Sequence, residues 1–129
     1  MFSVNLGTRA GDGHVIVELR GELDVADAAA VVAAFAVIGA RQPVIIVDLA
    51  GMDFIDSSGV AALARGRKLA RDAGGDLLLA APRHEVLRTL TLTRLIDTFP
   101  IHASVDEAAG HVRRQAATRA ARPAVADAP

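Results

Sequence analysis

Two adjacent serines, Ser57 and Ser58, close the stretch Val44-Ile45-Ile46-Val47-Asp48-Leu49-Ala50-Gly51-Met52-Asp53-Phe54-Ile55-Asp56-Ser57-Ser58-Gly59. The stretch reads as a buried strand, a short loop and the mouth of a helix. A hydroxyl in that place can cap the helix, attack a substrate or accept a phosphate. The first N–H groups of a helix lack intrahelical partners and that end carries partial positive charge, so it seats either a serine oxygen or a phosphate. Capping by Ser57 or Asp56 is the plainest use of these residue types. Nucleophilic catalysis fits less well. A hydrolase elbow needs glycine two places before and two after the serine, and Asp56 holds the first of those places for Ser58. His14, His84, His102 and His111 offer no triad partner at a telling spacing, and His14 and His111 read as surface residues. Asp48, Asp53 and Asp56 follow no calcium-loop pattern, so neither a metal nor another cofactor is expected.

The chain around these residues has 129 positions, enough for one domain. Its hydrophobic fraction is 52%, ample for a core, but with 3% aromatics and no Trp or Tyr that core must be built from Val, Leu, Ile and Ala. Such a core has few large anchors and implies modest stability. A net charge of -1 supplies no global field to draw nucleic acid or anionic membrane. The absence of cysteine removes disulfides, thiolate metal sites and cysteine nucleophiles. Met1-Phe2-Ser3-Val4-Asn5 lacks the pattern of a signal peptide, and no uncharged apolar run is long enough to span a membrane. A cytoplasmic protein is expected.

The elements that must position the serines follow from periodicity. Val4 to Arg9 reads as an edge strand, Gly11-Asp12-Gly13 as a turn, and His14 to Arg20 as a second strand ended by Gly21-Glu22-Leu23-Asp24. Asp24 is placed to cap a helix from Val25 to Gly39, with Asp27 reaching back as in a capping box and Gly39 as C-cap. Ala28, Val31, Val32, Phe35 and Ile38 form its apolar stripe. Val44 to Val47 is a central strand. A helix from Ser57 to Ala73 turns Ala62, Leu63, Gly66, Leu69, Ala70 and Ala73 inward. Its other side carries Arg65, Arg67, Lys68, Arg71 and Asp72, with Val60, Ala61 and Ala64 among the charges. That basic face reads as solvated, because aromatics for base stacking are lacking. Gly74-Gly75 stops the helix. Asp76 to Ala81 is a buried strand, Pro82 opens a helix to Leu92, Phe99-Pro100-Ile101 is extended, and Ser104-x-x-Glu107 caps a last helix. The domain is expected over 1–112, with 113–129 an Ala/Arg/Pro-rich tail that is disordered from Arg119 onward. The order predicts an α/β fold: a small mixed β-sheet of four to five strands with helices packed mainly on one face. Sites in such sheets lie beyond the carboxyl ends of parallel strands, here the loops holding Asp24 and Asp56 to Gly59.

Gly21-Glu22-Leu23-Asp24, Val47-Asp48-Leu49, Met52-Asp53-Phe54-Ile55-Asp56-Ser57-Ser58-Gly59-Val60, Phe99-Pro100-Ile101 and Ser104-x-x-Glu107-Ala108 together resemble the STAS domain, and within it the bacterial anti-sigma factor antagonists. The resemblance covers Val4 to Gly110. It departs at Thr93-Arg94-Leu95, where many relatives have Thr-Gly-Leu, and in the tail. It implies a protein that binds an anti-sigma factor which is also a serine kinase, and so frees a sigma factor. It implies phosphorylation of Ser58 by that kinase, which breaks the complex, and reversal by a metal-dependent serine phosphatase. The implied docking surface holds Gly21, Glu22, Asp24, Asp56, Ser57, Ser58 and Gly59. Small apolar residues among charges extend that expectation along Val60, Ala61, Ala64, Arg67, Lys68 and Arg71. A STAS scaffold without phosphorylation and a small-ligand sensor are the alternatives. An enzyme is not expected, since the chain offers an acceptor hydroxyl without a visible base.

Overall fold

A computed structural model describes residues 4–121. The chain runs through β1 (Val4–Ala10), β2 (Val15–Leu23), α1 (Val25–Arg41), β3 (Val44–Asp48), β4 (Met52–Ile55), α2 (Ser57–Asp72), β5 (Asp76–Ala80), α3 (His84–Leu92), β6 (Ile101–His102) and α4 (Val105–Ala120). The strands form one sheet in the order β1-β2-β3-β5-β6, with β4 paired to β2 beyond the end of β3. The opening hairpin is antiparallel and every other pairing is parallel. The mixed α/β sheet expected from the sequence is present, with six strands among the described residues instead of four to five.

Two apolar layers hold it. Val17, Leu19, Leu23, Ile45, Val47, Leu77 and Leu79 point to the face covered by α1, α2 and α3, where they meet Phe35, Leu63, Val86 and Leu90. Burying side chains of this kind is worth roughly 1.5–3 kcal/mol each, so this layer fixes the three helices on one side. Ile16, Ile46, Leu78 and Ala80 point the other way and pack on Ala108, Ala109 and Val112 of α4. Because α4 contacts mainly β3, β5 and β6, it covers chiefly that half of the second face, with Ile16 of β2 at its margin.

The structure corrects several expectations. β2 continues through Gly21-Glu22-Leu23, because β4, read from sequence as loop, supplies it with a partner there. Gly39 does not cap α1. It is buried within the helix, which runs on through Ala40 and Arg41 until Pro43 prevents continuation; Gln42 caps it by donating its N–H to the Ile38 carbonyl at 2.9 Å. Pro82 precedes α3 instead of opening it, and Arg83 is its N-cap. Ala73, expected inward, is the exposed C-cap of α2. His14 is 5% exposed and no surface residue. Its ring folds back over the turn, with Nδ1 at 3.0 Å from the Asp12 carbonyl oxygen. The expected tail from residue 113 is helical through Ala120, in keeping with the high helix propensity of its Ala, Arg and Gln residues. The expectation for 122–129 lies outside the described residues.

Candidate functional site

Two helix N-termini stand side by side because two strands do. Leu23 of β2 is the register partner of Ile55 of β4, and the Asp56 N–H donates to the Leu23 carbonyl at 3.2 Å. One residue further on, each strand turns into a helix. Asp24 caps α1, its Oδ1 accepting from the Ala26 N–H at 2.9 Å. Asp27 does not close a capping box. Its Oδ2 accepts from the Val4 N–H at 3.4 Å and ties α1 to the edge strand.

Asp56 caps α2. Its Oδ1 accepts from the Gly59 N–H at 3.0 Å, and its backbone carbonyl accepts from Val60 at 3.0 Å. The carboxylate therefore takes the role that a serine hydroxyl often fills. Ser57 and Ser58 become the first two helical residues, Ser57 exposed and Ser58 half-buried. Gly59 is buried because the helix enters almost in contact with the sheet. A Cβ there would lie 2.5 Å from Ile55 Cγ1 and 2.8 Å from the Leu23 carbonyl oxygen. The Asp-Ser-Ser-Gly sequence thus divides into a cap, an exposed and a half-buried serine, and a point of close approach.

The loop leading into β4 is also fixed. Gly21, at a φ of 94°, lets β2 bend and donates its N–H to the Gly51 carbonyl at 3.0 Å. The register steps from Gly21–Met52 to Glu22–Phe54, so Asp53 is an extra residue, a β-bulge. Arg83 holds that bulge from the start of α3, with Nη1 at 2.6 Å from Asp53 Oδ1 and Nε at 2.8 Å from the Ala50 carbonyl.

The residues expected to continue the surface along α2 divide. Ala61, Lys68 and Arg71 are exposed and Ala64 is half-buried. Val60 is fully buried, a correction to its expected place among the charges. The close entry at Gly59 lays this first turn on the core, so Val60 joins Leu23 and Leu63. Arg67 is drawn against the body of the protein, with Nε at 2.9 Å from Asp76 Oδ1 and Nη1 donating to the Thr98 carbonyl. Gly21 and Glu22 lie beside β4 as expected of a common surface. Sequence reasoning missed three neighbours: Arg83, and the exposed apolar side chains of Val25 and Phe54. A strand at β4 would have revealed Phe54, since its neighbour Ile55 faces the core. The arrangement offers a hydroxyl to be modified and a mixed acidic and apolar surface to be bound. No helix among the described residues is long and apolar enough to cross a membrane.

Comparison with known proteins agrees with this geometry. The family model of the STAS domain matches residues 5–108. The anti-sigma-F factor antagonist RsfA of Mycobacterium tuberculosis is 32% identical over 101 residues, which span 75% of this chain and 78% of that protein. An anti-sigma factor antagonist from Mycobacterium paratuberculosis superposes with a TM-score of 0.77 at 28% identity, over 86% of this chain and 95% of that one. The Bacillus cell fate determinant SpoIIAA, at 23% identity, shares the fold. Its unphosphorylated form gives a TM-score of 0.71 over 86% of this chain and 96% of its own.

Proposed function

The chain belongs to the STAS domain family, and from that premise we propose that it is an anti-sigma factor antagonist switched by phosphorylation of Ser58. In this reading it acts in the cytoplasm and carries out no catalysis of its own. It binds an anti-sigma factor that is also a serine kinase; the kinase transfers a phosphate to Ser58 and the complex separates. A serine phosphatase restores the binding form. The names of RsfA and of the Mycobacterium paratuberculosis protein support the antagonist role.

The observation that carries the reading is the division of labour at α2. Asp56 makes the cap, which frees the half-buried Ser58 hydroxyl from any duty in holding the helix. A phosphate there brings about 1.5 to 2 negative charges. The helix end favours it by only about 0.3–1 kcal/mol in an exposed setting, so the modified protein stays folded. Inside an interface the same charge must lose its water, at a cost of several kcal/mol unless a cation meets it. Modification therefore acts on binding.

The test is intact-mass analysis after incubation with a cognate anti-sigma kinase and Mg-ATP, with Ser58→Ala as control. One added phosphate, absent from the control, is the expected result. Ser58→Ala is expected to stay bound in the presence of ATP and Ser58→Asp to bind poorly. A folded protein that takes no phosphate from an active kinase would overturn the switch and leave an unmodified STAS scaffold or a ligand sensor.

A further inference from the structure

The expected contact surface joined the ends of β2 and β4 to the solvent side of α2, where Ala61, Lys68 and Arg71 are exposed but the charges are partly engaged within the molecule. Arg67 and Arg71 both pair with Asp76, Lys68 pairs with Asp72, and Val60 is buried. We propose that, within the expected surface, binding is carried at the ends of β2 and β4 by two apolar anchors, Phe54 and Val25, and that its occupant is an anti-sigma factor offering an apolar pocket rimmed by cations. The inference rests on the antagonist reading above and specifies which part of the molecule meets the partner.

Exposure is the first argument. Phe54 is 45% exposed and Val25 74% exposed, each one residue from a group that builds the site: Phe54 before Ile55, Val25 after Asp24. Large side chains at the centre of an interface carry a disproportionate share of binding energy, aromatic ones above all. Position is the second. Ile55 and Leu23 face the core under α1 to α3. Since neighbouring residues of a strand alternate, Phe54 and its register partner Glu22 face the other side. There α4 packs mainly on β3, β5 and β6, with Ile16 of β2 at its margin, and Phe54 of β4 stays 45% exposed. Val25 follows Asp24 beyond the end of β2 and Ser57 follows Asp56 beyond the end of β4, so both stand past the same pair of strand ends, next to Ser58.

Charge gives the third argument and the character of the partner. Glu22 is the register partner of Phe54, Asp24 precedes Val25 and Asp56 follows Ile55, and Glu22 Oε2 is buried without a hydrogen-bond partner among the described residues. The nearby cations are engaged within the molecule, Arg83 by Asp53 and the Ala50 carbonyl, Arg20 by Glu18 at 2.8 Å. A surface bringing lysine or arginine to this rim is attracted, while an acidic one is repelled. The same arrangement accounts for the switch. The partner's cations are then matched to Glu22, Asp24 and Asp56, so a phosphate on Ser58 adds charge at the edge of a dry contact whose cations are already engaged, and is desolvated without one of its own.

The experiment measures binding of each purified anti-sigma factor of the same organism to the full chain and to four variants. Phe54→Ala and Val25→Ala are expected to weaken binding at least tenfold with unchanged circular dichroism and thermal midpoint. Lys68→Ala and Arg71→Ala are expected to stay within twofold of the parent. Val25→Ala decides the matter should Phe54→Ala unfold, because Val25 is an exposed first-turn residue whose replacement favours the helix. Parent-like binding by folded anchor variants, or loss confined to the α2 variants, overturns this inference and leaves the antagonist reading standing. Failure of the unaltered chain to bind any of the anti-sigma factors overturns both.

Discussion

At Asp56 and Ser58, two neighbouring polar residues have separable jobs. Removing the cap leaves the Gly59 N–H without its acceptor, so Asp56→Ala is expected to cost about 0.5–2 kcal/mol in urea unfolding, whereas Ser57→Ala, which makes no cap, is expected to change stability by less than about 0.5 kcal/mol. Equal losses from both would mean that the hydroxyl shares the capping. The sequence left Ser57 and Asp56 as rival caps because both types serve, and only the 3.0 Å bond to Gly59 separates them. His102 was still harder to anticipate, being an unremarkable histidine in an extended segment. Burial, followed by the nearby His111, holds its pKa below the ordinary value, with Arg114 acting in the same direction and Glu107 opposing. The imidazole centroids of His102 and His111 are 5.1 Å apart. A histidine whose folded pKa is depressed takes up protons more readily when unfolded. Its contribution is thus present at neutral pH and is lost as pH falls below the ordinary value of about 6.5 toward the folded one. Urea midpoints at about pH 7.5 and about pH 5 should therefore fall further for the parent than for His102→Gln. Parallel falls would show that this histidine is not the acid-sensitive group.

Among the elements, the ones with clean periodicity were readable and the irregular ones were not. The stripe of α1 through Val31 and Phe35, and the apolar runs of β3 and β5, follow from spacing alone. β4 was missed because the bulge at Asp53 puts both Met52 and Ile55 on the core, three residues apart, which destroys the alternation of a strand. That one irregularity hid the Arg83 clamp and the exposure of Phe54. The Thr93-Arg94-Leu95 departure is a second irregularity with a physical consequence. Arg94 has a φ of 62° and ends α3 in a Schellman arrangement: its N–H donates to Thr91, and that of Leu95 to Leu90. A side chain in this left-handed conformation is strained by about 1–2 kcal/mol, partly offset by the greater freedom glycine has when unfolded. Arg94→Gly is accordingly expected to raise unfolding stability by about 0.5–1 kcal/mol. A neutral or destabilising result in a urea titration would mean that Arg94 makes a compensating interaction.

On the scale of the whole molecule, the question is whether a phosphate at the sheet's end can act without loosening the fold. The two apolar layers lie below the site, and Ser58 stands at the first turn of α2, outside the stripe that packs on the sheet. The nearest structural dependence is the Asp56 cap, which uses backbone N–H groups that the phosphate does not need to displace. Repulsion between a phosphate and Asp56 opposes the favourable field of the helix end, and both are weak where water reaches them. The expected net effect on stability is within about 1 kcal/mol, equivalent to a change of less than about 5 °C in thermal midpoint for a domain of this size. Calorimetry of the phosphorylated and unmodified proteins checks this directly, beside a binding measurement on the same samples. A small shift in midpoint with a large loss of affinity would place the switch at the surface. A midpoint lowered by much more than that range would show that phosphorylation acts by unseating α2, and the loss of binding would then be a consequence of local unfolding.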